Sequence, residues 1–264
     1  MIGCRFSRLS KHLIFIAILS IVTGCATTQT VDGVGDDDPL EEGNRVFFNI
    51  NETLDKHLLK PVAEKYVEIT PVVVRTSVTN FFDNLAYPNV ILNNFLQGKF
   101  NQGVTDILRF TYNSIFGIAG LFDVSTGIGM PANNEDFGQT LAVWGFDRGS
   151  YLYIPLFGPN TVRDSTDIAT STYTNPFFYL SSTLLWPFTA INAVNSRANL
   201  LEASNIRDEA ALDPYTFTRE AYLQQREYKI YDGNPPATGY DDIFSDLDDD
   251  AEYEDDESGV LVIE

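Results

Sequence analysis

The sequence predicts a mostly α-helical body, and three observations carry that expectation. Apolar residues recur at spacings of three and four along several segments, the period of one helix face. Two Asp-Pro pairs, Asp38-Pro39 and Asp213-Pro214, put an N-cap before a proline at the first helical position, where its missing N–H costs nothing. Strand alternation is weak, with Tyr151 to Ile154 the best candidate.

Residues 1–24 read as a targeting signal. Arg5, Arg8 and Lys11 form a positive start, and Leu13 to Val22 form an apolar run. That run is too short for a bilayer-crossing helix, which needs about 20 apolar residues, and it fits a secretory signal peptide. It ends in Val22-Thr23-Gly24-Cys25, an order that resembles a bacterial lipobox. Cleavage after Gly24 would free Cys25, whose thiol takes a diacylglycerol and whose new amino group can be acylated. Ala26, where an Asp would favour inner-membrane retention, points to the outer membrane. Several acyl chains anchor stably where one is marginal.

Residues 25–37 are a linker, and the stretch 38–231 is long enough for one domain. In its first helix Phe47, Ile50, Leu54 and Leu58 form one apolar face. The pattern recurs at Val74, Val78, Phe81 and Leu85, and at Val104, Leu108, Ile115 and Phe116. Pro61, Pro71, Pro88 and Gly98 are expected to divide these pieces, giving many short helices. Gly145 and Gly149 bracket Phe146-Asp147-Arg148, a candidate hairpin, because glycine permits positive φ. The stretch YLYIPLFGPNTVRD (Tyr151 to Asp164) carries Pro155, Gly158 and Pro159. These point to an irregular connection rather than a strand of a ladder, leading to a helix after Asn160 that holds Arg163, Asp164 and Asp167. The most apolar window, Pro176 to Ile191, is interrupted by Ser181, Ser182, Thr183 and Pro187. Its aromatics suit a membrane interface and equally a core. Residues 232–264 carry 13 acidic side chains and no Lys or Arg, the composition of a solvated, disordered tail.

Several function classes fall away. The net charge of −20 and the exported compartment exclude nucleic acid as a ligand. Once Cys4 leaves with the signal and Cys25 is lipidated, no thiol remains for a disulfide. His57 is the one mature histidine, so no Cys/His metal cluster can be assembled. There is no G-x-S-x-G elbow, and no catalytic residue is assigned.

Five blocks together resemble one family. They are NRVFFNINETLDKHLLKPVAEKY (Asn44 to Tyr66), SVTNFFDNLAYPNVILNNFLQGKF (Ser77 to Phe100), RFTYNSIFGIAGLFDVST (Arg109 to Thr126), EDFGQTLAVWGFDRGSYLYIPLFGPNTVRD (Glu135 to Asp164) and DPYTFTREAYLQQRE (Asp213 to Glu227). In this order they are similar to the signature blocks of the MlaA/VacJ outer-membrane lipoproteins. The resemblance implies a ring-like bundle of short helices, monotopic in the outer membrane and embedded in its inner leaflet, with a central amphipathic channel. It implies removal of phospholipids misplaced in the outer leaflet and their transfer to a soluble periplasmic carrier, in association with trimeric porins. The alternative is a structural porin-associated lipoprotein without transport. No cofactor is implied beyond the N-acyl and S-diacylglycerol lipid on Cys25, and no metal.

Within that frame Asn49, Asn51, Asn80, Asn84, Asn93 and Asn94 are either polar lining or helix-end bonds. Phe47, Phe48 and Asn49 are candidates for holding a channel closed, or for ordinary packing. Gly145 and Gly149 are candidates for gating it. Arg163 either pairs with Asp164 or touches lipid phosphate.

Overall fold

The structure is a computed structural model that describes residues 38–236. The signal peptide, Gly24, Cys25, the linker and all but the first residues of the acidic tail lie outside the described residues.

Helix α1 (Glu41–Leu54) runs without a break through a π turn (Asp55–Leu59) into α2 (Lys60–Ile69). Its start lies two residues past the expected Pro39, although Asp38 still accepts the Leu40 amide at 3.1 Å. Pro61 does not end the helix. In the π turn Lys60 donates its N–H to the Asp55 carbonyl five residues back, which relaxes the turn that a proline ring would otherwise strike. Helix α3 (Val72–Leu96) carries Pro88 inside its 25 residues. The expected division there also fails, because Pro88 forfeits only its bond to the Asn84 carbonyl while α3 is gripped along its length. Gly98, at φ +78°, and Pro71 are the true breaks.

After Gly98 come α4 (Phe100–Ile115), the short α5 (Val124–Gly127) and α6 (Phe137–Val143). Asp123 caps α5 and Asp136 caps α6. Strands β1 (Tyr151–Ile154) and β2 (Gly158–Thr161) form an antiparallel hairpin. A 3-10 turn (Asp164–Thr166) leads into α7 (Asp167–Thr174), and another (Pro176–Tyr179) leads into α8 (Ser182–Asn199). Helices α9 (Leu201–Ala210) and α10 (Pro214–Ile230) close the domain. As expected, Asp213 caps α10, accepting the Tyr215 amide at 3.0 Å. Helix α3 packs along α4, α7 and α8, and α2 packs along α8.

The hairpin corrects two expectations. It lies at Tyr151–Thr161, not between Gly145 and Gly149. The stretch read as an irregular connection is itself a ladder, with Tyr153 opposite Pro159. A two-stranded ribbon consists only of edges, so Pro159 needs no donor on its open side.

Polarity is distributed opposite to a soluble core. Among the described residues, buried polar side chains outnumber buried apolar ones two to one. Asn93, Asn94, Gln139, Asn195 and Asp106 are almost completely enclosed. The apolar core cluster among the described residues is small: Phe48, Tyr151, Tyr153, Tyr215 and Leu223, flanked by Tyr222. Helix α4 illustrates the inversion. Its buried face is Gly103, Asp106, Arg109 and Asn113, while Val104, Leu108, Ile115 and Phe116 point outward. Phe47, Ile50, Leu54 and Leu58 of the α1 segment are outward-facing as well. The periodicity located real apolar stripes. Those of α1 and α4 face away from the interior, whereas on α3 Val78, Phe81 and Leu85 are half-buried and Phe81 packs against Phe82, Phe177 and Phe188. Trp186, in the most apolar window, is 71% exposed.

A polar interior must be internally satisfied. Asp106 accepts from Asn94 at 2.7 Å, Asn133 at 3.0 Å and the Tyr87 hydroxyl at 3.2 Å. Burial nonetheless pushes its carboxyl up. Arg109 reaches Asp123 at 2.6 Å and Thr126 at 2.9 Å, pinning the loop after α4 to that helix.

Candidate functional site

The site is built around the hairpin, which α1 holds along one edge. Asn44 accepts the Tyr153 amide at 2.8 Å and donates to the Tyr151 carbonyl at 3.0 Å. Seven residues on, Asn51 accepts the Leu156 amide at 3.0 Å and donates to the Ile154 carbonyl at 3.3 Å. Two side-chain amides, two helical turns apart, thus stand in for a third strand on the free edge of β1. Leu156 at the tip adopts φ +68°, a conformation costing roughly 1–2 kcal/mol for a residue with a Cβ. The Asn51 bonds hold it there, and the Leu156 side chain is 80% exposed.

Three open cavities are neighbours, each sharing lining residues with the next. One of about 290 Å³ lies between β2, α7 and α10, lined by Asp136, Asp164, Asp167, Tyr222 and Arg226. The next, about 300 Å³, lies between α1, the hairpin tip, α8 and α9, with Glu52, Asp55, Arg197 and Arg207 on its walls. These two share Phe157 and Pro159. The third, about 270 Å³, lies between α3 and α8, lined by Thr79, Asp83, Asn192, Asn195 and Asn199. It shares Leu200 with the second. Each pairs charged or amide groups with an apolar wall: Phe157 and Ile168, then Leu54, Leu59 and Leu156, then Phe82. Such a lining suits a molecule with a charged head and a hydrocarbon body.

Every arginine lining the first two cavities is paired with a carboxylate. Arg226 grips Asp136 through both guanidinium nitrogens and Asp164 at 3.0 Å. Tyr222 donates to Asp164 at 3.1 Å. Burial works against the ionised Asp136 carboxylate, but the Arg226 guanidinium outweighs it and holds the pKa below the usual range. Burial and the Asp164 charge push the Tyr222 hydroxyl well above its ordinary value. Gly138 makes this packing possible, since a Cβ there would lie 2.5 Å from Asp164 Oδ1 and 2.8 Å from Arg226 Nη2. In the second cavity Arg197 grips Asp55 at 2.6 and 2.8 Å, and Arg207 grips Glu52 at 2.8 and 3.0 Å.

The sequence candidates fall in different places. Phe48 is buried between Tyr153 and Tyr215, ring centroids 5.3 and 5.7 Å away, whereas Phe47 and Asn49 point outward. A helix turns about 100° per residue, so three consecutive residues cannot share a face. Gly145 and Gly149 both have positive φ, and the segment between them runs beside the base of the hairpin: Val162 donates to the Ser150 carbonyl and Arg163 to the Arg148 carbonyl. Arg163 Nε lies 3.1 Å from Asp164 Oδ1. Asn84 is buried in the middle of α3, whereas the buried Asn93 and Asn94 lie in its last turn.

Arg226, Asp136, Tyr222, Asn44 and Asp83 were not singled out. Spacing could have exposed Asn44, seven residues before Asn51 on one helix face. Arg226 meets Asp136 across 90 residues, which no local pattern signals. His57 is exposed on the π turn with Nδ1 2.8 Å from the Thr53 carbonyl. Among the described residues no group of His, Cys, Asp and Glu could hold a metal ion.

Comparison with known proteins gives concordant matches. The family described as MlaA lipoprotein matches residues 36–229. The chain is 34% identical over 245 residues to the intermembrane phospholipid transport system lipoprotein MlaA of Escherichia coli (strain K12), covering 87% of this chain and 94% of that protein. It is 29% identical over 247 residues to the protein of the same description from Haemophilus influenzae, covering 89% and 98%. A solved chain described under "Structural basis for maintenance of bacterial outer membrane lipid asymmetry" matches with a TM-score of 0.65 at 30% identity. That match covers 74% of this chain and 99% of the solved one.

Proposed function

The chain belongs to the MlaA lipoprotein family, and from that premise we propose that it takes mislocalised phospholipid from the outer leaflet of the outer membrane and passes it inward, maintaining lipid asymmetry. One observation supports this reading most: amide and charged groups line neighbouring cavities while the apolar stripes of α1 and α4 face outward. Moving a charged head group through hydrocarbon costs several kcal/mol when it finds no partner. A polar passage within an apolar exterior lets the head move among hydrogen-bonding groups while the tails stay in lipid. No covalent step is required, so the chain works as a conduit and not as an enzyme.

In this reading the lipid on Cys25 anchors the chain at the periplasmic side of the outer membrane, and the outward apolar stripes embed it in the inner leaflet. Trimeric porins flank it, and a soluble periplasmic carrier receives the lipid. The helices surround the cavities as a ring, and the cavities together form the channel. The hairpin tip, between the first two cavities, is its movable part. Gly145 and Gly149 give the adjoining segment freedom to move with it, and Phe48 holds the α1 side closed. Phe47 and Asn49, about 100° to either side of Phe48 on α1, act through lipid contact. Arg163 and Asp164 steady the base of the hairpin.

The test is a deletion strain assayed for phospholipid in the outer leaflet. Accumulation there, reversed by the wild-type chain and not by the Cys25→Ala chain, is the expected result. Intact asymmetry with failed porin assembly would replace this reading by a structural one.

A further inference from the structure

The third cavity differs from the other two in having a carboxylate and no arginine in its lining. Glu52, Asp55, Asp136 and Asp164 each face an arginine at 3.0 Å or less. Asp167 accepts from Asn89, Thr170 and the Phe137 amide. Asp83, on the wall between α3 and α8, has no hydrogen-bonded or ion-paired partner among the described residues. No Lys or Arg lines its cavity. Asp83 is an exposed residue, and partial desolvation of its carboxyl by the surrounding protein pushes its pKa up.

The surroundings of Asp83 are neutral and built. Asn195 and Asn199 both donate to Thr79 Oγ1, at 2.8 and 3.1 Å. Their amides are thereby turned with nitrogen toward Thr79, which leaves the Asn199 carbonyl oxygen as an acceptor. Asn195 Oδ1 accepts the Tyr66 hydroxyl at 3.1 Å. Phe82 closes the opposite wall and packs on Phe81 and Phe177. A carboxylate, an amide carbonyl and an aromatic ring around one space are the groups that receive an ammonium ion.

We propose that Asp83 receives the ammonium of an aminophospholipid head group, so that this chain prefers phosphatidylethanolamine to anionic phospholipid. The inference rests on the transport reading above. A phosphatidylethanolamine brings its own counter-charge to Asp83. A phosphatidylglycerol brings only a second negative charge, which no cation on this wall offsets.

The experiment incubates the full chain in detergent with mixed phosphatidylethanolamine and phosphatidylglycerol vesicles in equal parts, re-isolates it, and quantifies bound lipid by class. The wild-type chain is expected to retain the two lipids in a ratio of about fivefold, the discrimination of one partly solvated charge pair worth about 1 kcal/mol. Asp83→Asn is expected to bring the ratio to one, chiefly by loss of bound phosphatidylethanolamine, and Asp83→Lys to reverse it. Equal ratios in all three chains, with lipid bound, would overturn the inference and leave transport standing. A wild-type chain that binds no phospholipid would remove both.

Discussion

Gly138 shows how much of this site depends on single atoms. The close approach of Asp164 and Arg226 leaves no volume for a methyl group, and overpacking of this kind costs about 1–3 kcal/mol. Gly138→Ala is therefore expected to lower the melting temperature by several degrees and to separate the α10 guanidinium from α6. Gly145→Ala, where nothing lies within reach of a Cβ, bears only the strain of its positive φ. Thermal unfolding of the two variants in detergent checks the ranking. Asp123 supports a pH prediction. Burial opposes its charge, but hydrogen bonds from Thr126 and Arg109 prevail and hold its pKa at about 2. A folded-state pKa below the unfolded value contributes stability above roughly pH 4, lost as the pH falls through about 2. The contribution is at most about 2 kcal/mol, allowing for partial exposure. Asp123→Asn should flatten the loss of stability between pH 5 and 2, as read by acid titration of the unfolding midpoint.

At the scale of elements, the fastening of β1 by α1 makes the strongest prediction. Asn44→Ala strips partners from the Tyr153 amide and the Tyr151 carbonyl, and Asn51→Ala does so for Leu156 and Ile154. Each bond contributes about 1 kcal/mol. The double variant should speed amide exchange at Tyr153 and Leu156 by at least about tenfold, since 1.4 kcal/mol is a factor of ten. Unchanged exchange at both amides would show that the aromatic cluster alone holds the hairpin. The elements differ in how far they could be read from residues. The Asp213-Pro214 start of α10 was legible because capping is local chemistry. Pro61 and Pro88 misled because a π turn and lateral packing accommodate them, and neither is written in the neighbouring residues. Stripe positions on α1 and α4 were legible, but their direction was not. Period 3.6 marks an apolar face without saying whether protein or lipid covers it. The Asp136–Arg226 grip was illegible because it joins distant segments.

For the whole molecule, the decisive quantity is the apolar surface turned outward. A soluble protein rarely leaves such stripes uncovered, and a continuous apolar surface marks a membrane or protein contact. No described helix is long and apolar enough to cross a membrane. Helix α3 has sufficient residues, about 37 Å at 1.5 Å per residue, but carries Arg75, Asp83 and buried asparagines. In the membrane reading proposed above, contact with lipid is lateral, through faces such as that of α4. Burying one Leu or Ile side chain gains about 1.5–3 kcal/mol, enough in this reading for a few of them to hold the body to a bilayer without any acyl chain. The Cys25→Ser chain is accordingly expected to float with phospholipid vesicles. Adding Leu108→Lys and Ile115→Lys should release it, because each lysine forfeits that gain and carries a charge costly to place in hydrocarbon. The shift expected is at least about a hundredfold in partition, from a loss of 3 kcal/mol or more. Both positions lie on the exposed face of α4, away from the Asp106 and Arg109 contacts, so the fold should be kept. A doubly substituted chain that still floats as well as its parent would assign the outward stripes of α4 to a protein partner instead of lipid.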